Sequence, residues 1–234
     1  MVNGDLSYLA DRIIFSKNII KEAIERFGDR MGIGWSGGSD STVLLSLVLP
    51  LKWNIPVLYI NTTYDFPETS EYIDNLAAKW KLNLHTFSPS KSIYDLMVRK
   101  YGEDTENLYY NCCIYHKVEP MMRGIKELNL DAFLVGIRGV EHPERAKEQY
   151  FSYHQEYIPP HYRVHPLLDW TRQEIVDYML QYNIPINPLY NKGYTSLGCI
   201  QCTKKNLDPN AHERTGRARK RELIKYKLKK EGYN

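Results

Sequence analysis

Apolar side chains recur at helical spacing from Ile13 to Phe27, and Gly28 ends the run, so the first predicted element is a helix. The period then shortens. Met31-Gly-Ile-Gly-Trp35 reads as a short buried strand that runs into Ser36-Gly-Gly-Ser-Asp-Ser41 and then the apolar stretch Thr42–Leu47. Pro56–Ile60 is a second strand, and Pro67 with Glu68 opens a helix that reaches about Trp80. A strand follows over Asn83–Phe87, then helices near Ile93–Arg99 and Val118–Leu128, then a buried strand over Ala132–Ile137. Residues 139–163 show no clean period, and their Tyr, His and Pro content points to an ordered lid or insertion. Thr171-Arg-Gln-Glu174 is a capping box, and Ile175, Met179 and Leu180 give the next helix its apolar face. Strands alternating with helices predict an α/β fold with a parallel sheet.

Composition narrows the class. The 234 residues are 43% hydrophobic and 25% charged, enough for one substantial core with an elaboration. We expect an N-terminal helical segment over 1–30, one α/β domain over 31–215 and a basic tail over 216–234. Met1–Asp11 lacks a basic segment followed by a long apolar run, and no stretch nears the ~20 apolar residues of a membrane span. A cytoplasmic location is therefore expected. The formal charge of +3 hides an asymmetry, because residues 214–230 hold nine Arg or Lys against Glu222 alone. Such a run can grip a phosphate backbone, or it can be the solvated face of a terminal helix.

Four cysteines fall in two tight pairs, Cys112-Cys113 and Cys199-Ile-Gln-Cys202. Two pairs can supply four thiolates to one metal centre, and reducing conditions would keep them available. Adjacent cysteines are uncommon at structural zinc, which favours a [4Fe-4S] cluster over zinc; disulfides and buried unreactive thiols are the alternatives. The second candidate site is the loop Ser36, Gly37, Gly38, Ser39, Asp40, Ser41. Its glycines let successive N–H groups converge on an anion, and a helix beginning near Ser39 adds its positive end. It is not a Walker loop, since it lacks Gly-x-x-x-x-Gly-Lys. Asp40 either positions Mg²⁺ or caps the helix. Arg138 follows a buried strand, where open α/β sheets bind ligands. Arg145 either contacts a ligand or pairs with Glu141 or Glu148, and Lys117 either reaches the nucleotide or is solvated. Trp35, Trp80 and Trp170 read as core.

Several motifs in register resemble one family. Ser36–Ser41 resembles the phosphate loop of the adenine-nucleotide α-hydrolase superfamily, the N-type ATP pyrophosphatases. Asn61–Thr69, Cys112–Pro120, Gly136–Arg145, His165-Pro166 with Trp170, Asn187–Tyr190 and Gly198–Thr203 together resemble the phosphoadenylylsulfate (PAPS) reductase family over nearly all of residues 30–215. The resemblance implies a Rossmann-like fold with a C-terminal cluster-binding extension. Two departures bear on activity. Reductases with four cluster cysteines carry a separate nucleophilic cysteine in a Glu-Cys-Gly segment, whereas here Glu231 is followed directly by Gly232. The Ser-Gly-Gly-x-Asp-Ser loop also has the form of relatives that cleave ATP. His116 and His142 differ from the residues common in the family at those places.

The expectation that results is an iron–sulfur ATP pyrophosphatase. ATP with Mg²⁺ would adenylate an acceptor and release pyrophosphate, with Asp40, Lys117, Arg138 and Arg145 against the phosphoryl charge. Cys112, Cys113, Cys199 and Cys202 would hold the cluster. The resemblance implies a cysteine desulfurase or other persulfide donor and a DNA or tRNA acceptor, as in DNA phosphorothioation or RNA thiolation, and is compatible with a homodimer. The alternatives are a PAPS/APS reductase forming sulfite, a sulfate adenylyltransferase-like subunit, and a nucleotide-dependent scaffold of a modification complex.

Overall fold

The computed structural model describes residues 7–208 and 210–232; Met1–Leu6 of the expected N-terminal segment and Tyr233-Asn234 of the tail lie outside them. The chain runs α1 (Ser7–Phe27), β1 (Met31–Gly34), α2 (Ser39–Val48), β2 (Val57–Ile60), α3 (Pro67–Trp80) and β3 (Leu84–Phe87). Next come α4 (Tyr94–Tyr101), α5 (Glu106–Cys113), α6 (Glu119–Glu127), β4 (Ala132–Leu134), β5 (Phe151–His154) and β6 (His161–Val164). The C-terminal part holds α7 (Arg172–Gln181), α8 (Pro188–Asn191), α9 (Arg219–Leu223) and α10 (Lys225–Lys230). Among the described residues no helix is long and apolar enough to cross a membrane.

Six strands form one sheet in the order β3-β2-β1-β4-β6-β5, parallel except for β5 against β6. This is the α/β, Rossmann-like arrangement expected. Pleating sends successive side chains to opposite faces. Accordingly Val57, Tyr59, Ala132 and Leu134 join one core with α1, α2, α3 and α7, while Leu58 and Phe133 join a second with Met121 and Ile125 of α6. Trp35 and Trp170 are fully buried, and Trp80 packs half-buried against the larger core.

Strand order reverses on the two sides of β1, so the crevice between the ends of β1 and β4 is where such a sheet binds ligands. Gly136, just past β4, permits close approach there: a Cβ on it would lie 2.9 Å from backbone atoms of Asp40 and Ser41. Residues 139–163 lack a clean period, yet they hold β5 and all but the last residue of β6. Their inward positions include His154, His161 and Arg163, which hides the apolar alternation of an ordinary strand.

Helix α5 was not foreseen. It passes through a π-helical turn, Ile114–Val118, into α6. The wider turn carries His116 and Lys117, and such turns recur at functional sites. The C-terminal helices are packed on α5: Ile224 and Leu228 are buried with Tyr109, Cys113 and Cys202. The basic run is thereby divided. Arg217, Arg221 and Lys225 turn inward, whereas Arg219, Lys220 and Lys230 remain exposed.

Candidate active site

Strand β1 delivers Ser36–Ser41 to the mouth of a cavity of about 250 Å³ at the β1/β4 crevice. Gly37 has φ +72°, a conformation that glycine adopts without steric cost. Gly38 is the N-cap of α2 with no side-chain cap, so Asp40 does not serve as the cap. The Gly38 carbonyl accepts from the hydroxyls of Ser41 and Thr42, at 3.0 and 2.9 Å. The short helix α8 braces the loop from outside. Asn187 donates to the Gly37 carbonyl at 3.3 Å, and the Ser39 N–H donates to the Tyr190 hydroxyl at 3.0 Å. The Asn187–Tyr190 motif therefore clamps the Ser36–Ser41 loop.

Across the cavity, cations and carboxylates interleave. Arg138 is fully buried; its Nη2 donates to both carboxylate oxygens of Glu213, at 2.6 and 2.7 Å, and its Nε lies 3.3 Å from Asp40. Arg172, the first residue of α7, donates to Ser39 Oγ at 2.5 Å, lies 3.7 Å from Asp40 and stacks over Tyr190 at 5.2 Å. Burial pushes the Asp40 carboxyl above its ordinary value, against the pull of Arg138 and Arg172. Glu141 is buried too, yet Arg145, Arg138 and Arg214 hold its carboxyl down to about 2. Arg145 pairs with Glu141, and Arg214 bridges Glu141 and Glu222 at 3.4 and 2.8 Å.

Of the residues singled out from sequence, Ser36, Gly38, Ser39, Asp40, Ser41, Lys117 and Arg145 line this cavity; Arg138 lies behind its wall, gripping Asp40 and Glu213. Sequence reasoning missed Arg172, Glu213 and the inward role of Arg214, Arg217 and Arg221, all cavity-lining. The capping box at Thr171–Glu174 was the available signal for Arg172, since it fixes that residue at the start of α7.

The cysteine expectation needs correction. Cys112, Cys113, Cys199 and Cys202 border a common small pocket as free thiols. Among the described residues, however, no group of three or more His, Cys, Asp or Glu side chains is placed to hold a metal ion. The water-accessible space in this pocket is about 10 Å³, roughly one water. The residues present do not fit a [4Fe-4S] cluster, and the C-terminal cluster-binding extension falls with it. Mg²⁺ on Asp40 is likewise unsupported, because that carboxylate is engaged by two arginines. Burial instead raises the Cys112 thiol strongly and the Cys202 thiol to about 11. Cys199 donates to Thr62 Oγ1 at 3.3 Å. Lys117, Arg217 and Arg221 line both this pocket and the larger cavity.

A family model described as the phosphoadenosine phosphosulfate reductase domain matches residues 30–205. The chain is 32% identical over 203 residues to a phosphoadenosine 5′-phosphosulfate reductase of Xylella fastidiosa, covering 85% of this chain and 82% of that one. It is 29% identical over 202 residues to an adenosine 5′-phosphosulfate reductase of Salinibacter ruber, covering 86% and 78%. A crystal structure of PAPS reductase from Candida auris in a phosphate complex shares the fold, with a TM-score of 0.65 at 21% identity over 87% of this chain and 98% of that one.

These matches overturn the expectation of an iron–sulfur ATP pyrophosphatase and sulfurtransferase yielding AMP and pyrophosphate, and with it the DNA-modification reading. The reason is physical. A loop of converging N–H groups and a helix N-terminus recognises a phosphate on an adenylate; it does not register whether the group beyond is pyrophosphate or sulfate.

Proposed function

The chain belongs to the phosphoadenosine phosphosulfate reductase family, and on that footing we propose that it reduces a sulfonucleotide to sulfite. The substrate is adenylyl sulfate or its 3′-phosphorylated form. The observation that carries this reading is the cavity wall: seven Lys or Arg side chains against four Asp or Glu, opposite the Ser36–Ser41 loop. That excess of positive charge suits the adjoining phosphate and sulfate of such a nucleotide.

In this reading the reacting unit spans 31–215 together with the inward arginines of the tail. The Ser36–Ser41 loop and Arg172 hold the phosphate, with Asp40 fixing Arg172, while Lys117, Arg217 and Arg221 face the sulfonate from the cysteine side. Arg145 and Arg138 act through Glu141, Asp40 and Glu213. A thiolate attacks the sulfate sulfur; the S–O bond to the phosphate breaks, and adenylate leaves with both electrons of that bond. Charge grows on the departing phosphate, where the loop and Arg172 stabilise it. A second thiolate then attacks the sulfenyl sulfur of the thiosulfonate, giving a disulfide and sulfite. Sulfur falls from S(VI) to S(IV) as two thiols become one disulfide. An external dithiol supplies both electrons.

The test supplies adenylyl sulfate or phosphoadenylyl sulfate with excess dithiothreitol and measures sulfite and the released nucleotide. Equimolar sulfite and AMP, or adenosine 3′,5′-bisphosphate from the phosphorylated substrate, is the expected result. Absence of sulfite from both substrates with several dithiols, in protein that binds neither, would overturn the reading.

A further inference from the structure

We infer that Glu213 is a positioning residue, a latch that fastens the arginine-bearing segment 212–221 over the nucleotide cavity. The inference rests on the sulfonucleotide reading for its ligand but on geometry alone for the latch. Glu213 joins three elements that are distant in sequence. Its carboxylate takes both oxygens to Arg138 Nη2 just after β4, and it lies 3.8 Å from Arg172 at the start of α7. Its backbone carbonyl accepts from the Thr195 hydroxyl at 2.7 Å. The next residue, Arg214, and then Arg217 and Arg221 line the cavity.

Why this carboxylate rather than the arginines' own partners? Arg214 is held by Glu222 and Arg217 by Thr203, and those residues lie within the same C-terminal region. Those two contacts tie the segment to its own region. The Arg214–Glu141 contact does cross to the sheet side, but at 3.4 Å against 2.6 Å for Glu213 with Arg138. Arg138 is fully buried and does not line the cavity, so its charge is turned toward Asp40 and Glu213 and not toward a ligand. A charge-assisted, two-oxygen contact in a water-poor setting is worth more than an exposed ion pair. Gly198 shows how closely the segment is seated: a Cβ there would lie 2.1 Å from Arg217 Nη1. Opening the latch would release the Arg214 and Arg217 end of the segment from Arg138 and Arg172, while Arg221 stays seated in α9 against α5.

Glu213→Gln keeps the shape and removes the charge. We expect the KM for adenylyl sulfate to rise about tenfold or more, with kcat changed by less than about twofold, because the lost interaction delivers binding groups and not the reacting thiol. Glu213→Asp should recover most of the affinity. Trypsin cleavage after Arg214 and Arg217, with no nucleotide present, should be about tenfold faster in the Gln variant, since cleavage tracks the open population. Should Glu213→Gln fail to fold, the double variant Arg138→Met, Glu213→Met removes both charges at similar volume and should show the same loss of binding and the same cleavage. Unchanged trypsin cleavage in a folded variant overturns the latch whatever the substrate. Loss of kcat and melting temperature together, with no rescue by Asp, also overturns it, by making Glu213 merely structural. Failure of the unaltered protein to bind both adenylyl sulfate and its 3′-phosphorylated form would overturn the sulfonucleotide reading and leave the cleavage result to decide the latch.

Discussion

At Gly37 the left-handed backbone and the crowding act in the same direction. With φ at +72°, a side chain there is strained, and a Cβ would meet Ile73 and Thr69 at 3.2 Å. Gly37→Val should therefore lower stability by roughly 2 kcal/mol and weaken adenylyl sulfate binding by about tenfold or more. Calorimetric titration of the folded variant checks this, and an unchanged affinity would remove the loop from the site. The loop was legible because its chemistry is local: six consecutive residues carry both the turn and the donors. Arg172 and Glu213 were not, since each matters through partners far along the chain. Glu213 meets Arg138 across 75 positions, and Arg172 meets Ser39 across 133. The capping box sets Arg172 at the start of α7, but no local pattern names the distant partner of either residue.

Among elements, the strands β1, β2 and β3 and the helices α2 and α3 followed from apolar runs and turn residues, whereas the β5–β6 hairpin did not. Its inward histidines make it sensitive to acid. His161 Nδ1 faces the Pro159 carbonyl at 2.8 Å, which assigns the proton to that nitrogen and leaves Nε2 to accept from Arg163 Nε at 3.0 Å. Burial, and then Arg163, pushes His161 down to about 4; burial does the same to His165. Groups facing this patch include Glu148, His154, Glu156 and, from the tail, Lys229. The unfolded chain takes up protons near pH 6.5 that the folded chain refuses, so stability is full above that pH and is lost as pH falls toward 4. For His161 alone the loss is on the order of 3 kcal/mol. Urea unfolding at pH 7.5, 6 and 5 should show it, and His161→Gln, which keeps an acceptor without a titrating ring, should flatten the profile. An equally steep profile in that variant would remove His161 as its source.

For the whole molecule, the decisive feature is that the C-terminal helices complete both the core and the cavity. Read as charge alone, residues 214–230 form a detachable basic tail, and removing them would spare nucleotide binding. The packing requires the opposite. Ile224 and Leu228 are fully buried against Tyr109, Cys113 and Cys202, so truncation before Arg217 uncovers α5 and the cysteine pocket. Two buried aliphatic side chains lost from a core cost roughly 2–5 kcal/mol each, a large share of the stability of a domain of this size. Arg217 and Arg221 leave the cavity with them. A chain ending at Gly216 should melt well below the full-length protein and bind adenylyl sulfate at least about a hundredfold more weakly, as expected when two cationic contacts to one anion are removed. The comparison is made by thermal unfolding and by calorimetry at one ionic strength. Leu228→Ala separates the two effects: it should lower the melting temperature while leaving most of the affinity, because both arginines remain in the chain. Full-strength nucleotide binding by the truncated protein would show instead that the basic residues, however deeply packed, take no part in holding the substrate.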